Sequence, residues 1–169
     1  VAIRGDWRTF AEENAWRDGW REENVVKRPL WDFIEGFETR QLYQEIFQRV
    51  RQGRRCRPLP FRCDSPWERR FLELALNPLP DGQIEIASRT VRTEQREPVR
   101  LLDAGVPRSE NILTICSVCK KIKTASEQWV EIEDGLVQLR LFEADAMPLL
   151  SHGLCPSCYE EAMAQLDAL

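Results

Sequence analysis

The sequence predicts an α+β fold, an antiparallel sheet with flanking helices, followed by a small zinc-knuckle module that ends in a helix. Three observations lead there. Apolar residues recur at helical spacing in residues 38–53, the period drops to two in residues 56–92, and two Cys-x-x-Cys pairs lie beyond residue 110. A chain of 169 residues, 43% hydrophobic and 31% charged, accommodates one core of about 100 residues plus a small appendage. The expected division is a sheet-bearing domain over 1–98, a linker over 99–110 and a four-cysteine module over 111–169.

The opening "VAIRG" supplies one short strand, the remnant of a hairpin. In "GDWRTFAEENAW", Asp6 is a good N-cap for a short amphipathic helix with Trp7, Phe10, Ala11 and Asn14 on one face. A turn-rich, charged stretch leads to "LWDFIEG", an apolar knot in which Leu30, Trp31, Phe33 and Ile34 anchor a connecting segment. The clearest helix is "ETRQLYQEIFQRVRQG", with Leu42, Tyr43, Ile46, Phe47 and Val50 on one face and Gly53 as its C-terminal stop.

Strands follow. "CRPLPFRC" sets Leu59, Phe61 and Cys63 on one face, and "FLELAL" does the same with Leu72, Leu74 and Leu76. "NPLPDG" turns the chain at Asp81-Gly82, and "QIEIASRTVR" returns with Ile84 and Ile86 on a shared face. "EQREPVRLLDAGVPRSE" has no sustained period and reads as the connection, with "VRLLDAG" docked on one of its neighbours. "WVEIEDGLVQLRLF" fits either a hairpin turning at Asp134-Gly135 or a helix using Ile132, Leu136 and Leu139. Pro156 opens a last helix with Tyr159, Ala162, Met163 and Leu166 on one side.

Charge narrows the function. Residues 1–98 carry eighteen Lys/Arg against seventeen Asp/Glu, and residues 99–169 six against eleven. Nucleic-acid binding draws on phosphate neutralisation by a basic surface, so an acidic cysteine module argues against a nucleic-acid reader. The one basic cluster, around Arg54 and Arg55, is most simply a solvated helix end. No run of about 18 apolar residues and no basic-then-apolar leader is present, so a cytoplasmic chain with no membrane segment is expected.

The pairs "ICSVCKKIK" and "SHGLCPSCYE" carry the chemistry. Two residues between cysteines let a tight turn present both sulfurs to one cation, and two such knuckles complete a tetrahedron about 2.3 Å from zinc. Cys116, Cys119, Cys155 and Cys158 are therefore the expected zinc ligands. His152, the one histidine of the chain, could replace a sulfur, and is preferred as a neighbouring residue outside the ligand set. Lys120, Lys121 and Lys123 offset the negative charge of a zinc tetrathiolate, and the helix that begins at the second pair favours thiolate as well. Alternatives are a redox-responsive site or unmetallated thiols; disulfides are disfavoured in a reducing compartment. Cys56 and Cys63 read as ordinary core or edge residues. A closed four-sulfur site leaves no place for a reactive water, and no Ser/His/Asp set, P-loop or dinucleotide fingerprint accompanies it, so no enzyme is expected. Glu12/Glu13 and Glu22/Glu23 read as solvated faces.

The segments "DWRTFAEENA", "RPLWDFIEG" and "FRCDSPWERRFLELALNPLPDGQIEI" resemble a bacterial PAS-like sensory family over residues 1–98, and "ICSVCKKIK…W…SHGLCPSCYE" is similar to a tail found after signalling modules. The resemblance implies a non-enzymatic signalling role, a protein partner, and a small ligand held noncovalently. It departs from two familiar chemistries. Cys56 and Cys63 lack the Asn-Cys-Arg context of flavin adducts, and His152 lies outside the PAS-like part, so neither a covalent flavin nor a histidine-ligated haem is expected. Six tryptophans, Trp7, Trp16, Trp20, Trp31, Trp67 and Trp129, exceed the needs of a small core, and a homodimer contacting near Trp16–Trp20 is expected.

Overall fold

The computed structural model describes residues 2–3, 22–34 and 36–167. Contacts divide the chain into a short unit, Val1–Glu35, and a main unit, Gly36–Leu169. The helix expected after Asp6, the Trp16–Trp20 segment and most of the opening strand lie outside the described residues. In the short unit, helix α1 spans Glu22–Val25 and a 3-10 turn covers Leu30–Asp32. The apolar knot at that turn is half-buried and tied by Arg28, whose guanidinium lies 4.8 Å from the Phe33 ring centroid and 3.2 Å from Asp32.

The main unit is α+β and holds two sheets. Helix α2 (Phe37–Arg51) buries Thr39, Leu42, Ile46, Phe47 and Val50, the face set by the helical period, with Tyr43 half-buried beside it. Its start is fixed by Gly36, at φ +86°, where a Cβ would lie 2.8 Å from the His152 carbonyl oxygen. Only glycine meets both demands.

Strands β1 (Leu59–Arg62), β2 (Glu68–Pro78) and β3 (Ile84–Gln95) form an antiparallel sheet in the order β1-β2-β3. Leu59 pairs with Leu74, Phe61 with Leu72, and Leu76 with Ile86. Directly opposed residues share a face, so the period-two apolar positions gather on one side of the sheet. A register shift at Phe71/Leu72 marks a bulge in β2. The β2–β3 turn uses Asp81 at φ 61° and Gly82 at φ 70°, and Arg51 at the end of α2 donates to the Gly82 carbonyl over 2.9 Å.

The second sheet has four strands in the order β6-β5-β4-β7. They are β4 (Arg108–Cys116), β5 (Ile122–Lys123), β6 (Trp129–Val130) and β7 (Met147–Gly153). Strands β4 and β7 run parallel, and the other pairs are antiparallel. A parallel pair needs a long crossover, and here it contains β5, β6 and helix α3 (Ile132–Gln138). Val99 and Leu101, from the stretch expected to link two domains, are 3% and 0% exposed and pack with Leu113, Ile115, Ile122, Ile132, Leu136 and Met147. "VRLLDAG" is thus docked on the core of the second sheet. Helix α4 (Pro156–Asp167) closes the described chain.

The ambiguous "WVEIEDGLVQLRLF" becomes a two-residue strand followed by α3. Gly135 therefore serves close packing inside a helix rather than a hairpin turn. A Cβ there would lie 2.6 Å from Ile122 Cγ1 and 3.3 Å from Val130 Cγ2, and Ile122 is fully buried. Gly135→Ala is expected to destabilise the protein by about 1–3 kcal/mol through overpacking, despite the better helix propensity of alanine. Urea midpoints of the two proteins check this, and an unchanged midpoint would contradict the packing argument.

Candidate metal centre

The two Cys-x-x-Cys pairs have 35 residues between Cys119 and Cys155, and the parallel pairing of β4 and β7 brings them together. Cys116 ends β4 opposite Gly153 at the end of β7, so both strands deliver their following turns to the same edge of the sheet. Ser117 N–H donates to the Gly153 carbonyl over 2.8 Å, and the hydroxyls of Thr114 and Ser151, paired two residues before Cys116 and Gly153, meet at 3.1 Å.

The first knuckle is a tight turn. Lys120 N–H donates to the Cys116 carbonyl over 3.1 Å, Cys116 N–H donates to the Lys121 carbonyl over 2.8 Å, and Lys120 takes φ 64°. The Lys120 ammonium folds back to donate to the Ser117 carbonyl at 3.0 Å. Burial pushes its pKa down, while the charges of Cys63, Asp64 and Cys116 oppose that shift. In the second knuckle Cys155 sits immediately before α4, Tyr159 N–H donates to its carbonyl over 3.0 Å, and Cys158 lies in the first helical turn.

The four Sγ atoms all lie within 4.8 Å of one another, with Cys119 and Cys155 3.7 Å apart. Four sulfurs about 2.3 Å from zinc would stand about 3.8 Å from each other, so the cluster fits a tetrahedral ion with little adjustment. Cys116, Cys155 and Cys158 are buried, Cys119 is half-buried, and Val118, Trp129 and Leu154 pack around them. The Cys155 N–H points at Cys116 Sγ over 3.4 Å, the kind of donor that steadies a metal thiolate.

Electrostatics favour the same reading. Hydrogen bonds from the Cys119 and Cys158 thiols pull Cys116 far below the ordinary thiol range, against the penalty of burial. Cys119 is pushed up to about 12, first by its hydrogen bond to Cys116. Cys158 is pushed up for the same reason, by its hydrogen bonds to Cys116 and Cys119. Cys116, Cys119 and Cys158 thus compete for protons, a crowding that a divalent cation bound by thiolates would relieve.

The first sheet is stitched to this centre by residues that sequence reasoning passed over. Arg62, 8% exposed, donates its backbone N–H to the Val118 carbonyl at 2.7 Å and its Nη1 to the Cys119 carbonyl at 2.9 Å. The same guanidinium pairs with Asp64 and lies 3.0 Å from Glu131. Arg96 stands 3.3 Å from Asp64 and 3.4 Å from Glu133, and Arg69 holds Glu133 at 2.7 Å. Arg62 follows Phe61 on the strand face that a period-two pattern assigns to solvent, so only its partner surface reveals it.

Other predicted residues stand apart. His152 is exposed on β7 and is not among the four clustered ligand atoms. Cys56 and Cys63 are half-buried free thiols outside the cluster, and Arg54 and Arg55 are exposed beyond α2. Trp67 is 55% exposed, whereas Trp129 packs on the cysteines. Among the described residues no helix is long and apolar enough to cross a membrane. No protein-family model, curated protein or solved structure matches this chain.

Proposed function

We propose that the chain is a non-enzymatic regulatory module of bacterial signalling. In this reading a PAS-like sensory domain over residues 1–98 carries a structural zinc module over 111–169, and it works in the cytoplasm by binding a small ligand or a protein partner. The observation that carries the reading is the convergence of Cys116, Cys119, Cys155 and Cys158 within 4.8 Å. Four thiolates saturate a tetrahedral ion, so the zinc would hold the fold together and leave no position for an activated water. The succession of α2 and three antiparallel strands is compatible with the later part of the PAS-like segment, which carries a longer helix followed by strands. The acidic balance of residues 99–169 favours a protein or small-molecule partner over nucleic acid.

A second reading, a redox-responsive switch that ejects zinc on oxidation, draws on the half-buried Cys119, whose sulfur is 3.7 Å from that of Cys155. Native mass spectrometry of freshly purified, reduced protein tests both readings, and it also detects a copurified ligand and a homodimer. The expected spectrum shows one zinc per chain, retained after mild peroxide. Protein without metal would overturn the zinc reading, and zinc lost with formation of a disulfide under peroxide would favour the switch.

A further inference from the structure

Beside the cysteine cluster lies a cavity of about 70 Å³, open to solvent on one side and lined by α2, the apolar face of β1 and β2, the first knuckle and α4. Its walls are mostly apolar, Leu42, Ile46, Phe61 and Val118 among them. Among the polar residues that also line it, Tyr43 and Ser117 included, two carry a buried atom with no partner. Thr39, 5% exposed, has a hydroxyl with no hydrogen-bond partner, and the side-chain oxygen of Gln165 is likewise buried and unpartnered. A buried polar atom without a partner is costly, and two around one cavity point to something that comes to satisfy them. Exposed Pro60 and Glu161 mark the solvent side.

We infer that this cavity is a binding site for a small neutral molecule of the short-chain alcohol class. An engineered apolar cavity of about 150 Å³ accommodates benzene, so a space about half as large suits an occupant of roughly three or four heavy atoms. The lining dictates its chemistry. The Gln165 oxygen only accepts, whereas the Thr39 hydroxyl donates or accepts, so a hydroxyl group can serve either partner and the alkyl chain lies against Leu42, Ile46 and Phe61. An anion would lose its hydration with no positive charge in the lining, and the one charged lining residue, Glu161, is exposed at the solvent side rather than beside the buried Thr39 and Gln165 atoms. The inference deepens the ligand-binding reading above by naming a ligand class, and the site is built jointly by the sheet, the knuckle and α4. Cys158 is one of its lining residues, so an occupant would touch the metal module directly.

The test is a titration of the metal-loaded full chain with 1-propanol, followed by methyl resonances of Leu42 and Ile46. Saturable shifts are expected in about the millimolar range, near what so few atoms can support. Thr39→Val/Gln165→Leu keeps the shape and removes the polar partners; it is expected to weaken binding about tenfold, while Ala162→Leu, which fills the space, should abolish it. Linear, non-saturating shifts in the wild type, or equal saturation in the Thr39→Val/Gln165→Leu protein, would overturn the inference and leave water as the occupant. Metal content measured on the same samples keeps this outcome separate from failure of the zinc reading.

Discussion

On the proposed zinc reading, a strong chelator is expected to unfold the whole described core of the main unit rather than its cysteine module alone. Apparent binding energies of four-cysteine zinc sites run to about 10–16 kcal/mol, which matches or exceeds the roughly 5–15 kcal/mol that holds a typical domain folded. Treating the module as a separate appendage would leave the first sheet standing after the metal has gone. The contacts argue otherwise. Arg62 in β1 bonds to both Val118 and Cys119 of the first knuckle, α2 packs on α4 and β7, and Val99 and Leu101 lie in the core of the second sheet. Cys116, 0% exposed and the residue on which the thiol hydrogen bonds converge, is the single position whose loss should do the same. Amide spectra of the chelated protein and of Cys116→Ser are expected to lose the dispersed signals of β1, β2 and β3 along with those of α4. A first sheet that keeps native shifts while the knuckles melt would show two independent units.

The Arg62→Met protein is expected to lose about 3–5 kcal/mol, the range seen when one partner of a buried ion pair is removed and its mate left behind. The mate here is Asp64, whose side chain is 1% exposed, and Arg96 at 3.3 Å supplies only part of the lost compensation. An exposed pair would be worth about 1 kcal/mol or less, so the measurement decides whether this network is structural. The substitution also frees the Cys119 carbonyl, and outer partners of metal ligands are commonly worth about 10–100-fold in affinity. Zinc competition with a chromogenic chelator should therefore shift in parallel with the urea midpoint. A loss below about 1 kcal/mol with unchanged zinc affinity would reduce Arg62 to a surface residue.

Much of this architecture was legible before any coordinates. Helix α2 follows from Leu42, Ile46, Phe47 and Val50, and its left-handed stop at Gly53 falls where the pattern ends. The antiparallel strands follow from alternation, which is why Leu59, Leu74 and Phe61, Leu72 meet in register. The four clustered cysteines were legible for a different reason: two-residue spacing is a local constraint of the turn, and a turn is encoded by its own few residues. Pro156 at the start of α4 is equally local.

What the sequence alone could not decide is everything that depends on a partner surface. Strands β4 and β7 were not foreseen, because exposed residues such as Glu110, Asn111 and His152 interrupt their few buried apolar positions, and their parallel pairing is a long-range choice with no local signature. Asp134-Gly135 has the composition of a hairpin turn, yet the side chain of Ile122 turns that glycine into a packing requirement inside α3. Arg62 occupies a solvent parity in its own strand and becomes buried only because the first knuckle covers it. Local periodicity and turn chemistry therefore determined the helix, the first sheet and the identity of the four sulfurs. Tertiary packing decided that those sulfurs meet at the end of a parallel strand pair, with the first sheet latched against them, since burial is a property of the surface that arrives and not of the residue that receives it.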